Sequence, residues 1–197
     1  MTQHAPTARM TEAQYLAWEE CQVEKHEFVN GEIVAMAGVS PAHDRIVINL
    51  IVGLTGRMRG GPCRLTSSDI RVRIDETGLY AYPDLTIHCG HAAYAPTRPV
   101  SLLNPRVVIE VLSENTAGYD LGAKAAHYRH RATIQTLLFV DSRKRSIQRQ
   151  DRNVDGTWTL ADLESGDVRV LDVVIPFDEV YDEVELEDEG RTPIAAT

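Results

Sequence analysis

The run Val107-Val108-Ile109-Glu110-Val111-Leu112 constrains this chain more than any other stretch. A nearly continuous apolar strand of this kind belongs in a sheet covered on both faces. Its single polar member, Glu110, is then a buried carboxylate. An ionised carboxylate buried without a partner costs on the order of several kcal/mol, so the position calls for a paired cation, a proton or a metal.

The neighbouring segments build a sheet around that strand. Ile134 to Asp141 is a second buried-type strand, and Asp120 to Arg131 reads as a helix between the two. Strand, crossover helix and parallel strand form a unit expected to be right-handed. Upstream, Tyr82 to His88 reads as one strand, and residues 89–104 as a loop with Pro96 and Pro99. Cys63 to Thr66 and the alternating Ile70 to Ile74 read as further strands. Arg145 to Gln150 and Thr157 to Leu160 suit a hairpin around Asn153 to Gly156, and Val168 to Ile175 closes the sheet.

The N-terminal part carries clear punctuation. Thr11 with Gln14 matches a capping box. Asn30-Gly31 suits a type I′ turn between Glu27-Phe28-Val29 and Glu32 to Met36, with Glu27 and Val29 on one face and Phe28 on the other. Ser40-Pro41 starts a helix whose Val47, Leu50, Ile51, Leu54 and Met58 recur at helical spacing. Gly60-Gly61-Pro62 stops it. The class is α/β to α+β: one mixed central sheet flanked by helices, with an N-terminal helix and hairpin added. At 197 residues the chain reads as a single domain over 1–197, with flexible ends at 1–10 and 186–197.

Composition excludes several classes. No apolar run reaches the length of a membrane span, and the N-terminus has no signal-peptide pattern, so the expectation is a cytoplasmic protein. Cys21, Cys63 and Cys89 have no repeated spacing and suit free thiols in a reducing compartment. Most of the net charge of −9 comes from residues 178–190, which hold eight acids and no base. The body is nearly neutral, which is not a strongly basic nucleic-acid footprint but leaves room for a small basic groove. Arg64, Arg71 and Arg73 either line such a groove or form a solvated strand face. His88-Cys89-Gly90-His91 has no second pair at zinc-site spacing. No glycine-rich phosphate loop, Gly-x-Ser-x-Gly elbow or Cys-x-x-Cys is present.

What remains points to metal-assisted hydrolysis. Asp84 and Glu110 lie in two strands separated by a loop, so they can stand side by side on one sheet face. Oxygen-only ligation of that kind suits Mg²⁺ or Mn²⁺. Lys124 lies on the crossover helix, and Asp120, Lys124 and Tyr128 share one helix side at i, i+4, i+8. A lysine there can orient an attacking water or hold charge on a phosphate. The same residues also have plain structural uses. Asp84 suits a turn after Pro83, Glu110 a buried ion pair, Lys124 a helical pair with Asp120, Glu27 a cross-strand contact, and Tyr128 helix packing.

Pro83-Asp84, Glu110-Val111-Leu112-Ser113 and Asp120-x-x-x-Lys124-x-x-x-Tyr128, in this order, resemble the Uma2 family of the PD-(D/E)XK restriction-endonuclease-like superfamily. Glu27 in Glu-Phe-Val-Asn-Gly-Glu, His43 in Ser-Pro-Ala-His, Asp69-Ile-Arg-Val and Phe139-Val-Asp141 extend the resemblance across almost the whole chain. It implies a metal-dependent endonuclease acting on nucleic acid, DNA first, with Mg²⁺ or Mn²⁺ on Asp84 and Glu110. Lys124 would be the catalytic lysine and Glu27 an auxiliary acid. His43, Arg71, Arg73 and Tyr128 are candidate substrate contacts. The superfamily's Glu-x-Lys would put lysine at position 112, which is Leu112, so the lysine has moved to the helix. The alternative is a nuclease-like fold serving as a binding or assembly module, as a homodimer. Convergence of Glu27, Asp84, Glu110 and Lys124 in one cleft would favour the enzyme.

Overall fold

Among the described residues, twelve strands fold into two mixed sheets packed through the strand that carries Glu110, and two more form a separate hairpin. The computed structural model describes residues 9–36, 38 and 40–186. The first sheet has the order β2-β1-β5-β4-β8-β7, built from β1 (His26–Val29), β2 (Glu32–Ala35), β4 (Arg71–Ile74), β5 (Leu79–Ala81), β7 (Tyr94–Ala95) and β8 (Ser101–Leu102). The second has the order β12-β11-β10-β9-β6-β3, from β3 (Cys63–Ser67), β6 (Leu85–Cys89), β9 (Val107–Leu112), β10 (Thr136–Asp141), β11 (Ile147–Arg152) and β12 (Trp158–Leu163).

The α+β class matches expectation, but the single central sheet does not. The strand read as Tyr82 to His88 starts later, and Tyr82 to Asp84 form the crossing between two sheets. β5 ends at Ala81 in the first sheet and β6 begins at Leu85 in the second. Pro83 cannot donate a ladder hydrogen bond, and Asp84 turns its carboxylate back to accept from the Val111 N–H at 2.7 Å, so the chain leaves one sheet and enters the other. Val168 to Ile175 likewise does not extend the large sheet. It forms a separate hairpin of β13 (Asp167–Val170) and β14 (Val173–Pro176).

β9 pairs parallel with β10 and antiparallel with β6, and is buried along its whole length. Alternation sends Val107, Ile109 and Val111 into one core and Val108 and Leu112 into another. The first core lies under α2 (Pro41–Met58), β13, β14 and α5 (Phe177–Val180). The second lies between the two sheets and the helical segment after β9. A third, smaller cluster stacks Tyr15 of α1 (Glu12–Glu19) on Phe28, ring centroids 4.6 Å apart, with Tyr80 beside them. Phe28 thus faces away from Glu27, as the hairpin alternation requires. Asn30 and Gly31 have φ of 52° and 88°, the positive values of the type I′ turn. Thr11 and Gln14 form the capping box, and the Ser40 side chain caps α2.

Several expectations are corrected. Cys63 and Cys89 are not free thiols: they face each other in register on β3 and β6 and form a disulfide, leaving Cys21 free and exposed. That bond also removes Cys89 from any zinc reading. Met10, placed with the flexible N-terminus, donates its N–H to Gly31 O at 2.8 Å. Leu186 packs into the first core. The rest of those ends, residues 1–8 and 187–197, lies outside the described residues. No helix among the described residues is long and apolar enough to cross a membrane.

Two glycines of α2 have opposite surroundings. A Cβ on Gly53 would collide with Ile175 Cδ1 and stand 2.8 Å from Glu179 Oε1, whereas one on Gly56 meets nothing within 4 Å. Gly53→Ala should therefore lower unfolding free energy by roughly 1–3 kcal/mol through overpacking. Gly56→Ala should raise it by about 0.5–1 kcal/mol through helix propensity. Urea denaturation of the two variants beside wild type measures both.

Candidate active site

Four elements deliver charged side chains to one cleft, a cavity of about 100 Å³ lined by Glu27, His43, Asp84, Glu110, Asp120 and Lys124 among others. β1 supplies Glu27, the crossing between the sheets supplies Asp84, and β9 supplies Glu110. The fourth element is the helical segment after β9: α3 (Ala117–Tyr119), a π-helical turn (Asp120–Lys124) and α4 (Ala125–His130). The π turn widens the helix where Asp120 and Lys124 face the sheet, a local irregularity typical of functional sites. His43 enters from the first turn of α2.

Lys124 is the hub. Its Nζ lies 2.9 Å from Glu27 Oε1, 2.9 Å from Glu110 Oε1 and 3.5 Å from Asp120 Oδ1. Tyr128 OH donates to the same Glu110 Oε1 at 2.8 Å, and the Tyr82 N–H donates to Glu27 Oε1 at 2.9 Å. His43 Nε2 stands 3.3 Å from Asp84 Oδ2, the oxygen that also accepts from Val111 N–H. Glu27, Glu110, Asp120 and Lys124 are all buried, while the Asp84 side chain keeps 18% exposure at the mouth.

The electrostatics follow from that crowding. Burial alone would push the Lys124 ammonium down, but Glu110, Glu27 and Asp120 outweigh it and hold its pKa well above the ordinary value. Glu110 is pushed up to about 8, chiefly by burial; Lys124 opposes the rise, and Asp120, Asp84 and Glu27 add to it. Burial also raises Asp120, against Lys124 and a hydrogen bond from Thr116. Tyr119, at the lip, is raised to about 12 by burial and the neighbouring carboxylates. One ammonium among four carboxylates leaves excess negative charge. A proton on Glu110 relieves part of it.

Glu27, His43, Asp84, Glu110 and Lys124 therefore come together in one cleft. The other candidate contacts do not join them. Tyr128 is fully buried and its hydroxyl is engaged with Glu110, so it orients that carboxylate instead of facing substrate. Arg71 is fully buried behind the first sheet. It donates to Ser101 Oγ, Pro99 O and Tyr15 OH and lies over the Tyr80 ring at 4.7 Å. Arg73 is half-buried and pairs with Glu12 and Asp75. Neither arginine lines the cleft. Tyr82 and Tyr119 line the cleft without having been candidates, and Asp120, expected beside Lys124 and in the motif of the resemblance but without a role, lines it too. The i, i+4 spacing and the family motif were the signals for Asp120; the Tyr82 contact with Glu27 is made by backbone and has none.

The oxygen-only donor set suits Mg²⁺ or Mn²⁺. The contacts above use one oxygen each of Asp84 and Glu110, so each carboxylate retains a second oxygen as a ligand. Among the described residues no group of three or more His, Cys, Asp or Glu is arranged to hold a metal, and the Lys124 ammonium contacts both Glu27 and Glu110. A cation here would take Asp84 and Glu110 and complete its shell with water or phosphate oxygens.

Two mixed sheets enclosing an acid–lysine cleft define a nuclease-like α+β domain. A solved structure from Anabaena variabilis, described as a putative nuclease belonging to DUF820, superposes with a TM-score of 0.69 at 13% identity, over 87% of this chain and 97% of that one. The chain belongs to the Uma2 family, described as "Putative restriction endonuclease", whose model matches residues 12–180. Two Synechocystis proteins are similar along most of their length. The uncharacterized protein slr1290 is 34% identical over 170 residues, 85% of this chain and 88% of its own. The uncharacterized protein sll1609 is 32% identical over 159 residues, 81% of this chain and 90% of its own.

The raised Glu110 pKa has a consequence for stability. Between the ordinary value of 4.5 and about 8 the folded protein holds a proton that the unfolded chain has released. Stability from this group is thus lost as pH rises through that window. In EDTA, urea denaturation from pH 5 to 8 should show wild type losing stability relative to Glu110→Gln. A constant difference between the two would place no titration on Glu110.

Proposed function

We propose that this protein hydrolyses phosphodiester bonds in nucleic acid, with DNA as substrate, using Mg²⁺ or Mn²⁺ held by Asp84 and Glu110. The observation that carries the reading is the placement of Lys124. An ammonium from the helix lies 2.9 Å from both Glu27 and Glu110, in the cleft that Asp84 lines. The absence of lysine at position 112 is thereby compensated: Leu112 fills the second core, and Lys124 approaches from above.

The bound cation would lower the pKa of a ligated water and offset charge on the phosphate. The chain's own groups set the stage for that chemistry. Lys124, held protonated by its carboxylates, is available to hydrogen-bond the attacking water or a phosphate oxygen and to counter developing negative charge. Glu27 keeps the lysine in place and is itself fixed by the Tyr82 N–H. Tyr128 fixes Glu110, and Val111 N–H with His43 fixes Asp84. A second reading, a binding module without turnover, draws on the engagement of Lys124 with three carboxylates.

Nicking of supercoiled plasmid with Mg²⁺ or Mn²⁺ separates the two. Wild type should cleave, and Asp84→Asn and Lys124→Met should each lose roughly 10²–10⁴-fold in rate. Removing the lysine also leaves buried carboxylates unpaired at about 3–5 kcal/mol, so folding of that variant is checked by circular dichroism. The half-open Asp84 makes Asp84→Asn the safer probe. Calorimetry below pH 8 should show metal binding releasing about one proton as Glu110 ionises, with no such release in Asp84→Asn. Inactive wild type that binds DNA would select the binding-module reading.

A further inference from the structure

The cleft carries more negative than positive charge, so it cannot by itself attract a polyanion. The cations that do so must stand at its rim. Arg143-Lys144-Arg145 is the only run of three consecutive Lys or Arg residues in the sequence. It lies in the turn between β10 and β11, at the carboxyl edge of the second sheet.

That turn is fastened to the strand of Glu110. Ser142 donates both its N–H, at 3.1 Å, and its hydroxyl, at 2.8 Å, to Leu112 O. Leu112 is the residue between Val111 and Ser113, both of which line the cleft. Across the parallel ladder Asp141 pairs with Leu112 and Phe139 with Glu110, so Asp141 points to the same sheet face as Glu110, one side-chain repeat further along. The turn is also rigid. Asp141 N–H donates to Ser146 O at 3.0 Å, and Tyr181 OH reaches Asp141 O and Ser146 O at 3.0 and 2.8 Å. Arg143 is held in bidentate contact with Asp141, and Arg145 pairs with Asp178 over the rings of Phe177 and Tyr181. Lys144 between them is exposed and makes no ion pair among the described residues.

We propose that this turn is a contact for the sugar–phosphate backbone of nucleic acid entering the cleft, with the Lys144 ammonium as its main point charge and Arg143 beside it. The inference rests on the nucleic-acid reading above and adds where the polyanion is held. The ordering of the turn before binding means that little entropy is lost on contact. A backbone contact carries no sequence information, so its signature is salt dependence.

The test is fluorescence anisotropy of a labelled DNA duplex, with Ca²⁺ in place of Mg²⁺, across a salt series, and plasmid nicking with Mg²⁺ alongside. Lys144→Ala should weaken binding roughly three- to tenfold at low salt and reduce the slope of log K against log salt by about one. Lys144→Arg should keep both near wild type. Arg106→Ala, the same charge change on an exposed residue just before the opposite end of β9, should alter neither. Equal losses in Lys144→Ala and Arg106→Ala, or none in either, would overturn the contact. Tighter binding by Lys144→Ala would also overturn it, and would assign the turn to the chain's own acidic segment. Binding that depends on Lys144 without nicking leaves this contact standing and removes turnover. Nicking indifferent to Lys144 does the reverse. Wild type that neither binds nor nicks DNA overturns both.

Discussion

The buried ammonium of Lys124 is the interaction on which the rest of this architecture turns. A charge taken out of water must find compensation nearby, and here it comes from side chains on separate elements: Glu27 from the hairpin, Glu110 from the central strand, and Asp120 from the lysine's own helical turn. Each of those elements is therefore tied to the others through one atom. The π turn sets Asp120 and Lys124 toward the sheet, and Tyr128, one turn of α4 later, closes over Glu110 from the same side. Moving any one of them would strand a charge in the interior.

The same compensation is incomplete by design of the charges themselves. Lys124 answers more than one carboxylate, and Asp84 at the mouth meets His43 and a backbone N–H but no lysine or arginine among the described residues. The site thus holds negative charge that a proton or a divalent cation can neutralise, and it presents the more exposed of its acids to the entrance. An electronegative cleft in a nearly neutral body attracts cations and repels polyanions. The basic turn after Asp141 offsets that repulsion a short way along the same sheet edge.

The two-sheet arrangement explains how so many acids reach one place. Asp84 sits where the chain passes from the first sheet to the second, and its carboxylate ties that crossing to Val111. Glu27 reaches the same space because β1 pairs with β5 just before the crossing, at Phe28 and Tyr80. The disulfide between Cys63 and Cys89 ties the edge strand β3 to β6, the strand that follows Asp84.

Much of this was legible in the amino-acid order. The apolar run around Glu110, the Asn30-Gly31 turn, the Ser40-Pro41 helix start and the Thr11 capping box are local, and local sterics and hydrogen bonding determine them without reference to the rest of the chain. The candidacy of Glu27, His43, Asp84, Glu110 and Lys124 also rested on residue type and order. What the sequence could not decide are facts about distance. It could not show that Tyr82 to Asp84 leave the strand to cross between two sheets, or that Arg71 turns inward to Tyr15 and Tyr80 while a neighbouring arginine stays half-exposed. Nor could it show that Cys63 and Cys89 meet, or that Tyr128 seals Glu110 instead of facing the cleft. Those depend on which strands pair and in what register, and pairing is settled by the packing of the whole core, because each side chain's partner lies tens of residues away along the chain.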